Sequence, residues 1–170
     1  MPNATIRGGD LIFLDAKSFY VFIPNYGPIF FNNLPDISDS KSAAYNDEPI
    51  IGRAFPLKTF SHSENRVISL QLHFFVLKQE DIRTNLNNLR ALASCTYPRD
   101  ASQSATVSYA PPIVCRLKFG ELLGSGPICA VLKSYSVKFP TDVAWDTNTF
   151  VPYKFDVDTN WEAIYKSSNL

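Results

Sequence analysis

Ser61, His62 and Glu64 are the nearest this sequence comes to a nucleophile, a base and an orienting carboxylate, and they fall together in Phe60-Ser61-His62-Ser63-Glu64-Asn65-Arg66. Hydrolysis through such a set needs side chains that converge from different elements, which near neighbours in sequence rarely do. The run therefore reads as a turn. His73, the only other histidine, sits on the polar side of an alternating stretch. A hydrolase working through His62 or His73 would lose its activity on His62→Ala or His73→Ala.

Metal and phosphate chemistry find equally little support. Cys95, Cys115 and Cys129 include no CxxC pair, and Cys115 and Cys129 are expected on neighbouring strands without a second ligand beside either. Three thiols without a pairing framework read as small buried hydrophobes in a reducing compartment. Asp142, Asp146, Asp156, Asp158 and Glu162 lack the glycine-centred loop of a calcium site and read as a solvated strand face. Gly120, Gly124 and Gly126 lack the Lys-Ser/Thr of a phosphate loop, so they mark a hairpin connection. No catalytic, cofactor-binding or metal-binding residue is expected.

The elements around these residues are mostly strands. Val67 to Leu77 alternates, with Ile68, Leu70, Leu72, Phe74 and Val76 on one face. Cys115, Leu117 and Phe119 define a second strand. Cys129, Val131, Tyr135, Val137 and Phe139 define a third, in which Lys133 breaks the pattern. Phe150, Tyr153, Phe155 and Val157 suggest a fourth, followed by Trp161 and Tyr165 in a short terminal turn of helix. Leu11 to Asp15 and Phe19 to Ile23 suggest a hairpin or a bulged strand.

One helix is expected over Gln79 to Ser94, with Ile82, Leu86, Leu89 and Ala93 as its stripe and Glu80 and Asp81 in its first turn. Between Pro24 and Phe60, seven prolines and glycines argue against long regular elements, so residues 24–60 read as an extended loop. Phe19, Tyr20, Phe22, Tyr26, Phe30 and Phe31 crowd the start of this region. They form either a satellite cluster under the loop or an apolar patch that another chain covers.

A length of 170 residues fits one domain, 1–170, and a 45% hydrophobic share including 13 Phe supplies a core without disulfides. Sixteen basic residues balance 16 acidic ones, which removes the electrostatic footprint of a nucleic-acid binder. No signal-like run and no stretch of about 18 apolar residues occurs, so a soluble product of the cytosol, with no membrane partner, is expected. The fold class expected is mainly β (α+β): an antiparallel sandwich or barrel with one flanking helix, about 79–94, and a long loop, about 24–60.

Several segments together resemble the tail-tube-fold proteins of contractile phage tails and related injection systems. They are Ile37-Ser38-Asp39-Ser40-Lys41-Ser42-Ala43-Ala44-Tyr45, Ile50-Ile51-Gly52-Arg53-Ala54-Phe55-Pro56, the Arg66 to Val76 strand, Pro111-Pro112, Val131-Leu132-Lys133-Ser134-Tyr135-Ser136-Val137 and Pro152. The similarity spans roughly residues 35 to 165 and is strongest to the tube-initiator or baseplate hub adaptor components. It implies a structural virion protein rather than an enzyme, made in the bacterial host cytoplasm and resident in the tail or baseplate.

The resemblance further implies a ring of self-associated subunits, a hexamer, joined to neighbouring tube and baseplate hub proteins. Genomic DNA would pass through its lumen without specific binding. Tyr26, Phe30, Phe31, Tyr45, Ile50, Ile51, Arg53 and Phe55 are the candidate contacts between subunits. The competing expectation is a monomeric ligand- or carbohydrate-binding β-barrel whose aromatics line a pocket.

Overall fold

In the computed structural model, which describes residues 19–31, 33–100 and 109–165, the alternation beginning at Val67 becomes the strand that organises the sheet. The apolar run Leu11 to Asp15 and most of the connector Arg99 to Thr106 lie outside the described residues. In chain order the elements are β1 (Phe19–Ile23), β2 (Gly27–Ile29), β3 (Asp36–Ser40), β4 (Ala43–Glu48), β5 (Leu57–Ser63) and β6 (Val67–Phe75). Then follow α1 (Gln79–Ser94), β7 (Arg99–Asp100), β8 (Tyr109–Ala110), β9 (Cys115–Phe119), β10 (Ile128–Lys138) and β11 (Lys154–Ala163).

Seven strands form one antiparallel sheet in the order β2-β1-β9-β10-β11-β6-β3. β4 pairs with β5 and β7 with β8 in separate two-stranded ladders. A mainly β chain, with a single helix among the described residues, is thus as expected. Its core, however, lies on one face of a single curled sheet, under α1. Phe31 explains the curl: it stacks on Phe119 of β9 at 6.1 Å and meets Phe74 of β6 edge-on at 6.1 Å, bridging strands that two others separate. Phe74 in turn stacks on Phe155 at 5.1 Å. Trp161 is fully buried, and its indole N–H donates to the Thr159 hydroxyl, which donates to the Leu70 carbonyl.

Several expectations need correction. The segment 24–60 is not a loop, because it holds β2, β3, β4 and the start of β5. Its prolines bound strands instead of preventing them: Pro28 lies in an edge strand, Pro35 precedes β3, and Pro49 and Pro56 flank the β4–β5 turn. Trp161 belongs to β11, not to a terminal helix, and β11 begins at Lys154, leaving Phe150 in a turn.

In β10 a bulge between Leu132 and Ser134 accounts for the break at Lys133. Because an extra residue flips every later side chain to the other face, Ala130 and Leu132 are the buried residues before it, not Cys129 and Val131. After it Tyr135 and Val137 pack on the core. The Gly120 turn between β9 and β10 has φ +56°, and a Cβ there would sit 3.3 Å from the Phe19 ring.

α1 occupies the expected Gln79–Ser94, and the Asp81 carboxylate accepts the Leu77 and Lys78 N–H groups at its start. Its buried face is rotated from the expected stripe, to Ile82, Asn85, Asn88, Ala91 and Leu92. Two asparagines turn inward because they find partners there. Asn85 donates to the Phe75 carbonyl at 2.9 Å, and Asn88 accepts from the Tyr26 hydroxyl at 2.6 Å.

Candidate functional site

The β4–β5 hairpin carries large apolar side chains and no core of its own. Tyr45 and Phe60 meet edge to face at 5.8 Å, and Lys58 pairs with Asp47 at 2.9 Å. At the tip, Arg53 N–H closes a turn onto the Ile50 carbonyl at 3.1 Å. Ile51 is fully exposed and Phe55 is 82% exposed. A two-stranded hairpin is marginal in water by itself, and each such side chain gains about 1.5–3 kcal/mol on burial. Exposed apolar surface of this extent is characteristic of interaction sites and ligand-binding grooves.

Polar bonds fix the hairpin's root. Glu64 N–H donates to the Ser42 carbonyl at 2.9 Å, and the Ser42 hydroxyl donates to the Glu64 carboxylate. Asn65 reaches Glu162 at 2.6 Å. Arg66 grips the Asp39 carboxylate through Nε and Nη2, and its Nη1 donates to the Leu123 carbonyl at 3.0 Å.

The Arg66 hydrogen bond holds the Asp39 carboxyl below its ordinary value, against the effect of partial burial. Glu162 is lowered by Asn65 and then Lys133, and Asp146 by Thr149. A carboxylate lowered in the folded state adds stability that is complete above its unfolded pKa of about 4 and is lost as pH falls through the folded value. Acid is therefore expected to lower the thermal midpoint, and Asp39→Asn to make that acid limb shallower. An acid limb as steep in the variant as in the wild type would remove Asp39 from this account.

A second apolar surface lies at the other end of the central strands. The hairpin leaves the sheet beside Val67, where β6 begins, whereas Phe139, Trp145, Phe150 and Tyr153 follow the end of β10 or precede β11, near Phe75. Phe150 is 78% exposed at φ 52°, a left-handed conformation uncommon for an aromatic residue. Asp146 holds this turn through Thr149, whose N–H it accepts at 2.8 Å, and the Trp145 indole donates to the Pro140 carbonyl. Phe139 contacts both buried Phe155 and Trp145, so this surface continues the aromatic row of the core. The nine residues of β6 separate the two surfaces by about 30 Å.

Between these ends, the sheet face away from the core is polar. Ser69 bonds Asn160, His73 bonds Asp156 at 2.6 Å, and Lys138 and Lys133 pair with Asp158 and Glu162. An open trough of about 450 Å³ runs over it beside Ser69, Gln71, Ser134, Ser136, Asp158 and Asn160.

The eight candidate contacts divide accordingly. Tyr45, Ile50, Ile51, Arg53 and Phe55 lie together on the hairpin. Tyr26, in the β1–β2 turn, and Phe30, just past β2, are partly exposed away from it. Phe31 is a correction: at 2% exposure it belongs to this chain's own core, where the curl of the sheet closes over it. Sequence reasoning missed Leu57 and Phe60, hidden in the presumed loop. It also missed the Trp145 and Phe150 surface, whose one signal is the polar turn Asp146-Thr147-Asn148-Thr149 between aromatics.

Of the residues weighed for catalysis, Ser61 and His62 are exposed neighbours in β5 with Ser61 Oγ and His62 Nδ1 3.1 Å apart. Glu64 is instead occupied by Ser42. Phe31, Phe74, Phe119 and Phe155 pack on one another in the core. Among the described residues, no three of His, Cys, Asp and Glu gather as metal ligands, and no helix is long and apolar enough to cross a membrane. Compared with models of known families and with curated proteins, the sequence finds no match.

Proposed function

We propose that this protein is a structural ring subunit of a contractile phage tail, acting as a tube or tube-initiator component at the baseplate end. The observation that carries the reading is the placement of two exposed apolar surfaces, the β4–β5 hairpin and the Phe139–Trp145–Phe150 turn, at opposite ends of the same strands. Distinct surfaces at opposite ends suit heterologous contacts, which form rings when the rotation closes and stacks when it repeats. The resemblance carried by Ile37 to Pro56, Pro111-Pro112 and Val131 to Val137 supports the tail-tube form of such an assembly.

In this reading the hairpin reaches a neighbouring subunit, and the polar sheet face, with lysines paired to carboxylates, borders a lumen that lets DNA slide without gripping it. The partners are further copies of the chain, in a hexamer, and the tube and hub proteins above and below. Sedimentation or native mass measurement of the purified chain, alone and with its neighbouring tail proteins, tests this. Closed oligomers are expected; a compact monomer in every setting would overturn the proposal.

A further inference from the structure

We propose that Cys95 and Cys115 are a disulfide-forming pair, converted from dithiol to disulfide by a two-electron oxidant of the hydroperoxide class and thereby tying the end of α1 to β9. Their sulfurs lie 3.7 Å apart, both residues are fully buried, and 20 positions of sequence separate them. A disulfide needs about 2.05 Å, so the two sulfurs need only close by roughly 1.7 Å. Each thiol also faces a backbone carbonyl, Cys95 that of Ala91 at 3.2 Å and Cys115 that of Ile113 at 3.9 Å.

Ala91 and Ile113 both line an open cleft of about 590 Å³, together with Ser94, Tyr97, Arg90 and Arg99. A small oxidant therefore comes within one side chain of the sulfurs without unfolding the core. The cleft also sits where α1 ends at Cys95. The hydrogen bond from Cys115 lowers the Cys95 thiol pKa against the opposing effect of burial, with Ser94 assisting, whereas that bond and burial raise Cys115. Cys95 is the first nucleophile.

The Cys95 thiolate attacks one peroxide oxygen, the O–O bond breaks, and the leaving hydroxide takes up the proton Cys95 released, giving water and a sulfenic acid. The Cys115 sulfur then attacks the sulfenic sulfur. Its proton joins the departing hydroxyl, which leaves as a second water. Two thiols are oxidised to one disulfide and one molecule of hydrogen peroxide is reduced. Cys129 is the internal control: it is partly exposed on β10 and pairs in register with Arg116, so it faces away from Cys115.

The test is trypsin mapping of the full chain after hydrogen peroxide and alkylation, because the three cysteines fall in separate peptides, 91–99, 100–116 and 119–133. The expected product joins 91–99 to 100–116, two hydrogens lighter than their sum, with Cys129 outside the bridge. Cys129→Ser should leave the crosslink unchanged. Closing a loop of this length should raise the thermal midpoint by about 5–10 °C, a gain that dithiothreitol removes. The proposal is overturned if Cys95 and Cys115 stay alkylatable after peroxide has oxidised Cys129, or if bridges form only to Cys129 or between chains. None of these outcomes depends on the protein being a tube subunit.

Discussion

Replacing Phe31 by alanine is expected to lower the unfolding free energy by about 3–5 kcal/mol. The ring is 2% exposed, stacks on Phe119 and meets Phe74 edge-on. Its loss opens a cavity where the two halves of the curled sheet face each other, and no neighbouring side chain is free to fill it, since Phe74 is itself stacked on Phe155. Natural domains hold only about 5–15 kcal/mol in total, so this one truncation removes a large share. At roughly 2–4 °C per kcal/mol for a domain of this size, the thermal midpoint should fall by about 6–20 °C. Thermal denaturation followed by circular dichroism measures it. A Phe31 that served as a contact between subunits would instead leave the isolated chain's midpoint where it was.

The hairpin tip should behave in the opposite way. In the double variant Ile51→Asp, Phe55→Asp, both side chains begin exposed in a turn, so the stability of the single chain should change by no more than about 0.5 kcal/mol. In an assembly, each side chain that enters a neighbour contributes about 1.5–3 kcal/mol, and replacing both with carboxylates adds the cost of burying unpaired charge. Association should weaken by at least two to four orders of magnitude. Sedimentation of wild type and variant under the same conditions reads this directly, with a melting curve as control. Assembly of the variant at wild-type concentrations would show that the hairpin is not the adhesive surface.

These two side chains show where the sequence was legible. Ile51 and Phe55 sit between Pro49 and Pro56, and proline punctuation correctly places them outside any core. The same punctuation misplaces Phe31, because core membership there depends on contacts with Phe119 and Phe74, 88 and 43 positions away, which no local pattern encodes. The helix was legible to its ends, since Glu80, Asp81 and Pro98 act locally. Its buried face was not, because Asn85 and Asn88 face inward only by virtue of Phe75 and Tyr26.

Lys133 was visible as a break in alternation, but a break does not say which side of it is inverted. Only pairing with β11 fixes that. The Trp145 and Phe150 surface was hidden for a similar reason: its exposure follows from a turn held by Asp146, and Phe139, Phe150 and Tyr153 around it read as strand.

The short passage from β5 into β6 also has a mechanical meaning. Only Glu64, Asn65 and Arg66 separate the two strands, and only Lys41 and Ser42 separate β3 from β4, so tension applied at the hairpin enters the sheet at Val67 and Ser40. There β6 is held by nine register pairs to β11 and five to β3. A force along those strands strains their cross-strand hydrogen bonds together, in shear, rather than opening them one after another like a zip. The exposed hairpin is thus fastened to a strand paired along both of its edges, and a tug on it should release any body bound at the tip before it unravels the sheet.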